Sequence, residues 1–183
     1  RIIGAADCLM LGLAHAVVPS DVMTRLRDEL LRCDSSEIDE VIDLYRADPG
    51  IAPLQAHRTE IDHIFTGDDP ISMRDRAGDM ARLKGSSLAA EIHEALSTRC
   101  PMTMHVFRRL LDMADEIADI PAALMLDYHL ALRMTRRDDF REGVRAVLVD
   151  KTNDAAWTPA RLEDVEASMV DAIFDRNGLP SLR

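Results

Sequence analysis

The sequence from position 139 to 151 reads Asp139-Phe-Arg-Glu-Gly-Val-Arg-Ala-Val-Leu-Val-Asp-Lys151, and Trp157-Thr-Pro-Ala-Arg-Leu162 follows shortly after it. The part between Phe140 and Val149 predicts a short helix. A longer helix is predicted upstream from Pro121, because a proline suits the first position of a helix. Apolar side chains recur there at intervals of three and four residues, at Leu124, Met125, Tyr128, Leu132 and Met134. Two consecutive helices predict a helical fold for this part of the chain.

The same reasoning divides the rest of the chain into helices separated by short breaks. Segments with helical spacing of apolar residues run over Ile3–Leu13, Asp21–Cys33, Ser36–Tyr45, Leu54–Phe65, Pro70–Leu83, Ser87–Ser97, Pro101–Leu111 and Leu162–Phe174. Ser20 and Ser36 are predicted as N-caps, since a serine side chain can bond the free N–H groups of a first turn. Ala14–Val18 is too short for a helix before Pro19 and is expected to be an extended segment or a short strand. The fold class predicted for this chain is all-α.

Composition narrows the class of protein and its partners. Hydrophobic residues make up 47% of the 183 residues and charged residues 30%, which is typical of a globular domain. The formal net charge of -11 argues against a nucleic-acid surface, which needs concentrated basic side chains. No apolar run reaches the roughly 20 residues of a membrane span. The sequence therefore predicts neither nucleic-acid binding nor membrane insertion.

Cysteine usage and the kind of basic residue indicate a compartment. The three cysteines, Cys8, Cys33 and Cys100, show no C-x-x-C spacing and are predicted to be free thiols in a reducing compartment. Nearly all basic side chains are arginines, because Lys84 and Lys151 are the only lysines. This bias is typical of GC-rich genomes, and the expected location is a bacterial cytoplasm.

Motifs that carry chemistry are few. Glu60 and His63 form one E-x-x-H pair, but a di-iron bundle needs a second copy, and the sequence has neither that copy nor an H-E-x-x-H. No G-x-S-x-G, G-x-G-x-x-G or P-loop is present. The pairs Asp68-Asp69 and Asp138-Asp139 lie in breaks between helices, where helix capping is favoured over catalysis. The sequence predicts no metal site and assigns no catalytic residue.

A cluster of basic side chains stands out in this acidic chain. It comprises Arg133, Arg136, Arg137, Arg141, Arg145 and Lys151. Acidic residues are interleaved with it, namely Asp138, Asp139, Glu142 and Asp150. One interpretation is a salt-bridged surface; the other is an anion site, for which the phosphates of a CoA group are the natural candidate. The charge pattern leaves both interpretations open.

These segments resemble the closing part of the 3-hydroxyisobutyryl-CoA hydrolase branch of the crotonase (enoyl-CoA hydratase/isomerase) superfamily. The resemblance rests on Asp127-Tyr128, Asp139-Phe140, Glu142–Ala146, Trp157, Pro159 and Leu162. The E-G-x-x-A element is shared across the superfamily, whereas V-R-A and W-x-P are typical of the hydrolase branch. Arg1–Pro19 resembles a segment from the middle of these enzymes. Two departures are Cys100-Pro101 in place of Ser-Pro, and Ala155-Ala156, where a proline often precedes the tryptophan.

The resemblance implies a parent enzyme with an α/β crotonase core, a ββα spiral, and a helical domain. In this division, residues 1–19 are the end of the core, 20–99 a helical linking region, and 100–183 a C-terminal helical domain that closes over the acyl-CoA site. The family's catalytic glutamate and oxyanion-hole N–H groups would lie upstream of Arg1. Contacts to CoA are expected from Lys151, Arg145 and Phe140. CoA belongs to the substrate, and no separate cofactor is expected.

The resemblance implies a function for the longer protein rather than for this segment. We expect the C-terminal part of an acyl-CoA thioester hydrolase of valine breakdown, acting on 3-hydroxyisobutyryl-CoA or a similar short acyl-CoA and inactive alone. The alternatives are an enoyl-CoA hydratase/isomerase subunit and a non-catalytic helical interaction module. The expected partners are the acyl-CoA substrate and the missing N-terminal core. Without that core, self-association is expected through apolar residues left exposed: Ile2, Ile3, Leu9, Leu11, Leu13, Val17 and Val18.

Overall fold

The computed structural model describes residues 2–67, 69–175 and 177–178, and the regular structure within these ranges is helical throughout. The α-helices of the described residues are α1 (Ala5–Met10), α2 (Met23–Leu30), α3 (Ile38–Tyr45), α4 (Arg58–Ile64), α5 (Pro70–Lys84), α6 (Ser87–Thr98), α7 (Pro101–Asp112), α8 (Ile120–Thr135), α9 (Asp138–Val144) and α10 (Ala167–Phe174). Short 3-10 helices lie at Ser20–Val22, Pro53–His57, Ala114–Glu116 and Leu162–Asp164. A π-helical turn at Arg145–Val149 continues α9. The all-α prediction is confirmed for this part of the chain, which contains no strand.

The chain divides into two compact units, Arg1–Ile61 and Asp62–Arg183. This division differs from the boundaries at residues 19 and 99, which concern the parent enzyme and stay predictions. The first unit contains α1, α2 and α3, and polar contacts join its elements. The buried Asp7 carboxylate accepts the Leu54 N–H at 2.9 Å and so connects α1 to the 3-10 helix Pro53–His57. Leu26 is the one buried apolar residue of this unit among the described residues.

The second unit contains two apolar cores. The first is built by α7, α8 and α10, whose buried side chains are Met102, Val106, Leu126, Leu130, Val170 and Ile173. The second joins the end of α4 to α5 and α6 through Ile64, Ala77, Met80 and Ala89. Met102 and Ile64 are fully buried. Aliphatic and methionine side chains fill both cores, as expected from an aromatic content of 4%.

Three helices of the second unit begin at side-chain caps. Asp69 accepts two N–H groups from the first turn of α5, at 3.0 and 3.1 Å, and Pro70 opens that helix as predicted. Ser86 caps α6 and Asp119 caps α8 through one N–H each, at 3.1 and 2.8 Å. These caps satisfy donors that the first turn of a helix leaves without a partner. Asp68, predicted to cap together with Asp69, lies outside the described residues.

Two predicted caps in the first unit are wrong. Ser20 and Ser36 make no capping bond to α2 or α3. Ser20 begins a 3-10 turn instead. Near Ser36, the Glu37 carboxylate accepts the Asp34 N–H at 3.0 Å and closes the preceding turn. A competing local hydrogen bond therefore displaces the start of α3 beyond the serine.

Three predicted segments differ in part from the structure. Leu54–Phe65 starts as a 3-10 helix and becomes α-helical only at its fifth residue. Leu162–Phe174 starts with one 3-10 turn, and two extended residues precede α10. Ala14–Val18 forms no helix, as predicted, and no strand. The Ala14 N–H donates to the Cys8 carbonyl at 3.3 Å, and the Ala47 N–H donates to the Val17 carbonyl at 2.8 Å. Helix type and strand pairing depend on tertiary contacts that local spacing does not report.

Candidate functional site

The motif residues Asp139, Phe140 and Glu142–Ala146 lie on α9 and on the π-helical turn that continues it. This turn leads into residues 150–158, which we call the 150–158 segment. π-Helical turns are frequent at functional sites. Two carboxylates, Asp139 and Glu142, are three residues apart and therefore share one face of α9. Both bond to the 150–158 segment.

Arg145 is the centre of an ion-pair network. Its Nε and Nη2 atoms donate to the two oxygens of Glu142, both at 2.8 Å. Its Nη1 atom donates to Asp150 at 2.6 Å, and Nη2 also donates to Asp154 at 3.1 Å. Hydrogen bonds from Arg145, and then from the Ala156 N–H, lower the pKa of Glu142 to about 2. Hydrogen bonds to the same three carboxylates raise the pKa of Arg145 above its ordinary value, so this guanidinium stays charged and paired.

Two backbone N–H groups fix the 150–158 segment on α9. Ala156 donates to Glu142 at 2.8 Å, and Thr158 donates to the buried Asp139 carboxylate at 2.7 Å. Arg137 bonds the other oxygen of Asp139 at 2.8 Å. Each of the two carboxylates therefore has an arginine and a backbone N–H as partners. The prediction that Asp139 caps a helix is wrong, because its carboxylate pairs with the Arg137 side chain and accepts the Thr158 N–H, and α9 has no side-chain cap.

Trp157 lies between these two N–H groups in sequence and packs against α9. Its indole Nε1 donates to the Thr98 carbonyl at 2.8 Å. A Cβ atom at Gly143 would lie 3.2 Å from the indole ring, so the missing side chain there permits this packing. Ala146 is fully buried. The E-G-x-x-A element thus has a structural role: Glu142 holds the 150–158 segment, Gly143 accommodates the indole ring, and Ala146 packs inside.

An apolar groove with a volume of about 500 Å³ lies beside α9. Its lining includes Cys100, Met134, Phe140, Val147, Leu148 and Trp157. Phe140 is 50% exposed and Leu148 67% exposed. A groove that gathers several exposed apolar side chains is a candidate surface for an apolar ligand or for a covering part of a longer protein.

A polar cleft of about 450 Å³ lies on another face of α9. Its charged lining residues are Asp138, Asp139, Glu142, Arg141 and Arg145. Asp138, the other aspartate predicted as a cap, pairs with Arg141 on the helix surface. Carboxylates outnumber guanidinium groups here, so the cleft is a poor site for phosphate.

The structure separates the three residues that the resemblance assigns to CoA. Phe140 lines the apolar groove, Arg145 lines the polar cleft, and Lys151 lines neither. Lys151 is exposed, has a left-handed backbone with φ 58, and makes no ion pair within the described residues. Of the two interpretations of the basic cluster, the salt-bridged surface is confirmed for Arg137, Arg141 and Arg145.

The remaining candidates lead to no site in the described part of the chain. No three potential metal ligands cluster there, and Glu60 of the E-x-x-H pair bonds His57 at 3.1 Å. Cys8, Cys33 and Cys100 are free, partly buried thiols, as predicted. None of the described helices is both long and apolar enough to cross a membrane.

The sequence did not predict the contacts of Asp139 and Glu142 with the 150–158 segment. One signal was present, since carboxylates three residues apart share a helix face. Their partners are backbone N–H groups, however, and every residue except proline carries such a group. The spacing could therefore have indicated an anchoring face but not the segment that binds to it.

Comparison with known sequences indicates the family of this chain. The family profile described as "Enoyl-CoA hydratase/isomerase" matches residues 1–174. The "3-hydroxyisobutyryl-CoA hydrolase, mitochondrial" of Xenopus tropicalis is 28% identical over 186 residues. The "Probable 3-hydroxyisobutyryl-CoA hydrolase 2" of Arabidopsis thaliana is 32% identical over 182 residues. These matches cover 97% and 93% of this chain and 47% of each relative, so the chain spans about half the length of the curated relatives it matches.

Solved structures show the same fold at low sequence identity. A carnitinyl-CoA dehydratase from Mycobacterium thermoresistibile aligns with a TM-score of 0.81 and 24% identity, over 96% of this chain and 48% of that one. An enoyl-CoA hydratase from Rhodobacter sphaeroides aligns with a TM-score of 0.77 and 24% identity, over 96% and 49%. The resemblance identified from the sequence is confirmed. The chain belongs to the enoyl-CoA hydratase/isomerase family and is similar, within it, to 3-hydroxyisobutyryl-CoA hydrolases.

Proposed function

We propose that the chain is the C-terminal part of an acyl-CoA thioester hydrolase that acts on 3-hydroxyisobutyryl-CoA or a similar short acyl-CoA. The observation that carries this proposal is the similarity, over 93 and 97% of the chain, to proteins named 3-hydroxyisobutyryl-CoA hydrolases. Each match covers 47% of the relative, which supports a longer enzyme of which this segment is one part. Under this proposal the longer protein serves valine breakdown, and the segment is inactive alone.

The carboxylates of the candidate site are unsuited to start the reaction. Glu142 has a pKa of about 2 because hydrogen bonds stabilise its charged form, whereas a general base works best with a pKa near the operating pH. Asp139 is occupied by Arg137 and by the Thr158 N–H. We therefore assign the catalytic glutamate and the oxyanion hole to the rest of the longer protein. Each backbone donor of an oxyanion hole stabilises the transition state by about 3 kcal/mol.

The proposed CoA contacts differ in how well they are placed. Lys151 is exposed and makes no ion pair within the described residues, and a lysine binds phosphate as a point charge. Phe140 borders the apolar groove, where its ring can pack against an apolar part of the ligand. Arg145 already has three carboxylate partners, with which a phosphate would have to compete. We propose no cofactor beyond the CoA group of the substrate.

Release of free thiol tests the reaction class. The longer gene product that contains this segment should release CoA from 3-hydroxyisobutyryl-CoA, whereas a hydratase or isomerase would change the acyl group and release no thiol. Lys151→Gln should raise KM about tenfold, as expected for the loss of one charge-assisted bond. Lys84→Gln removes the other lysine, at the end of α5, and should leave KM unchanged. No thiol release by the longer product would refute the proposal.

Self-association of the isolated chain is also proposed. Ile2, Leu11 and Leu13 are exposed as predicted, and the rest of the predicted patch is half-buried: Ile3, Leu9, Val17 and Val18. Light scattering should detect oligomers, and an apolar dye should bind this chain more strongly than the longer product. A monodisperse monomer that binds no dye would favour the alternative of a helical interaction module. The bacterial cytoplasm stays the predicted location.

A further inference from the structure

The 150–158 segment is bonded to α9 along its length. Arg145 bonds its first half through Asp150 and Asp154, at 2.6 and 3.1 Å. The N–H groups of Ala156 and Thr158 bond its second half to carboxylates of α9, at 2.8 and 2.7 Å. Glu142, which accepts the Ala156 N–H, also pairs with the Arg145 guanidinium through both of its oxygens. The Glu142–Arg145 ion pair therefore connects the bonds to the first half of the segment with those to the second half.

This attachment holds the segment in a conformation that its residues would not adopt freely. Lys151 and Asn153 have left-handed backbones, with φ 58 and 56. Such a conformation costs a residue such as Lys151 roughly 1–2 kcal/mol and persists where the surrounding contacts enforce it, whereas asparagine adopts it more readily. The contacts of the neighbouring residues therefore fix the backbone of Lys151, whose side chain is exposed. Trp157, at the other end, forms part of the apolar groove.

Charge around Arg145 argues against a direct contact with phosphate. Its guanidinium bonds three carboxylates: Glu142, Asp150 and Asp154. The local balance is one positive charge against three negative charges, which repels a phosphate group. Lys151 lies next to this network in sequence and makes no ion pair within the described residues. Arg145 can thus affect phosphate binding only indirectly, by fixing the 150–158 segment.

We propose that Arg145 and Glu142 are positioning residues for the thioester reaction. Together they fix the 150–158 segment, so that Lys151 is presented to the phosphate groups of CoA and Trp157 completes the apolar groove. The inference rests on the proposed function and changes the role of Arg145, which the resemblance assigns to CoA itself. Arg145 acts through the segment and does not contact the ligand.

Limited proteolysis of the 183-residue chain tests the attachment without any assay of activity. A protease that cleaves after lysine has two sites, Lys84 and Lys151, so the first is an internal reference. Glu142→Gln and Arg145→Gln should each speed cleavage after Lys151 by about tenfold, as expected when charge-assisted bonds are lost. Arg141→Gln breaks an exposed ion pair on the same helix and should leave the rate unchanged.

Unchanged cleavage after Lys151 in both variants would overturn the proposal. Faster cleavage at both lysines would indicate global unfolding. In that case the milder variant Asp154→Asn, which removes a single bond to Arg145, is tested in place of Glu142→Gln and Arg145→Gln. It should speed cleavage after Lys151 and leave cleavage after Lys84 unchanged. If it does not, the proposal is overturned. The fluorescence of Trp157, the sole tryptophan, should shift to the red in the same variants that expose Lys151.

The sign of the change in KM distinguishes positioning from direct contact. In the longer gene product, positioning predicts that Glu142→Gln and Arg145→Gln both raise KM for the acyl-CoA, by about 3- to 10-fold, with kcat little changed. Direct contact of Arg145 with phosphate predicts that Glu142→Gln lowers KM or leaves it unchanged, because the guanidinium is freed. That result would overturn the positioning role. A longer product without hydrolase activity would overturn both the proposed function and the positioning role in the reaction. The rate of cleavage after Lys151 would still show whether Arg145 and Glu142 fix the 150–158 segment.

Discussion

The two units of the chain bury very different amounts of apolar side chain. Of the fifteen buried apolar residues in the described part, fourteen belong to Asp62–Arg183 and one, Leu26, belongs to Arg1–Ile61. A fully buried aliphatic side chain contributes roughly 1.5–3 kcal/mol to the free energy of unfolding. The second unit therefore contains its own cores, and the first does not.

Polar bonds take the place of a core in the first unit. The Asp7 carboxylate accepts the Leu54 N–H at 2.9 Å, and the Tyr45 hydroxyl donates to Glu29 at 2.5 Å. A hydrogen bond of this kind contributes about 1 kcal/mol net, less than a buried side chain. The apolar cores of the second unit therefore predict that it is stable by itself, whereas the first unit is not.

Separation of the two units should have the largest effect. A fragment from Arg58, which keeps α4 whole, to the end of the chain contains both cores and should retain its helical circular dichroism and a cooperative thermal transition. Residues 1–57 alone should be unfolded, because they bury almost no apolar surface. Circular dichroism of the two fragments measures both expectations. A folded 1–57 peptide beside an unfolded 58–183 fragment would reverse the comparison.

Single core substitutions should lower stability by different amounts in the two units. Met102→Ala removes a fully buried side chain of the second unit and should lower the free energy of unfolding by roughly 2–5 kcal/mol. Leu26→Ala should loosen the first unit and leave the main transition nearly unchanged. Urea unfolding, followed by circular dichroism, measures both. Equal losses in the main transition would mean that the first unit takes part in the same cooperative core.

Gly143→Ala should have a smaller effect, confined to the second unit. The added Cβ would lie 3.2 Å from the Trp157 ring and displace it. Overpacking of this kind costs roughly 1–3 kcal/mol, whereas alanine gains up to about 1 kcal/mol over glycine in a helix. We expect a net loss of about 1 kcal/mol and a red shift in the emission of the sole tryptophan. An unchanged emission maximum would show that the indole ring does not pack on Gly143.

Acid should release the 150–158 segment before it affects the apolar cores. The pKa of Glu142 is lowered from 4.5 to about 2 by hydrogen bonds from Arg145 and then from the Ala156 N–H. Because the folded pKa lies below the unfolded one, the stabilisation by Glu142 is complete above about pH 4.5 and is lost as the pH falls towards 2. Trp157 emission should shift within that window, ahead of the helical signal. In Glu142→Gln the shift should be present already at pH 7.

The positions of the helices could be predicted from the sequence because their signals are local. Pro70 with its Asp69 cap, Ser86, and the apolar spacing of α7 and α8 all lie within a few residues of the structure they specify. Three capping predictions failed, at Ser20, Ser36 and Asp139. Beside Ser36, the Glu37 carboxylate accepts the Asp34 N–H and closes the preceding turn. Local signals therefore indicate the elements but not every boundary.

The candidate site was only partly predictable because its contacts are non-local. Glu142 bonds an N–H group 14 residues away, and Asp139 bonds one 19 residues away. Their partners are backbone N–H groups, which nearly every residue has and which a sequence pattern therefore cannot distinguish. The basic cluster raised the possibility of an anion site, and the structure shows its Arg145 paired with three carboxylates. Charge composition could not report which partners the fold would bring together.

Under the proposed function, this chain is the helical part of a thioester hydrolase, and the catalytic residues lie elsewhere in the longer protein. The most direct measurement is thiol release from 3-hydroxyisobutyryl-CoA by the purified 183-residue chain, with and without the other half of the longer protein supplied separately. We predict no release by the chain alone and release after mixing, in proportion to the limiting half. Release by the chain alone, in proportion to its concentration, would contradict the claim.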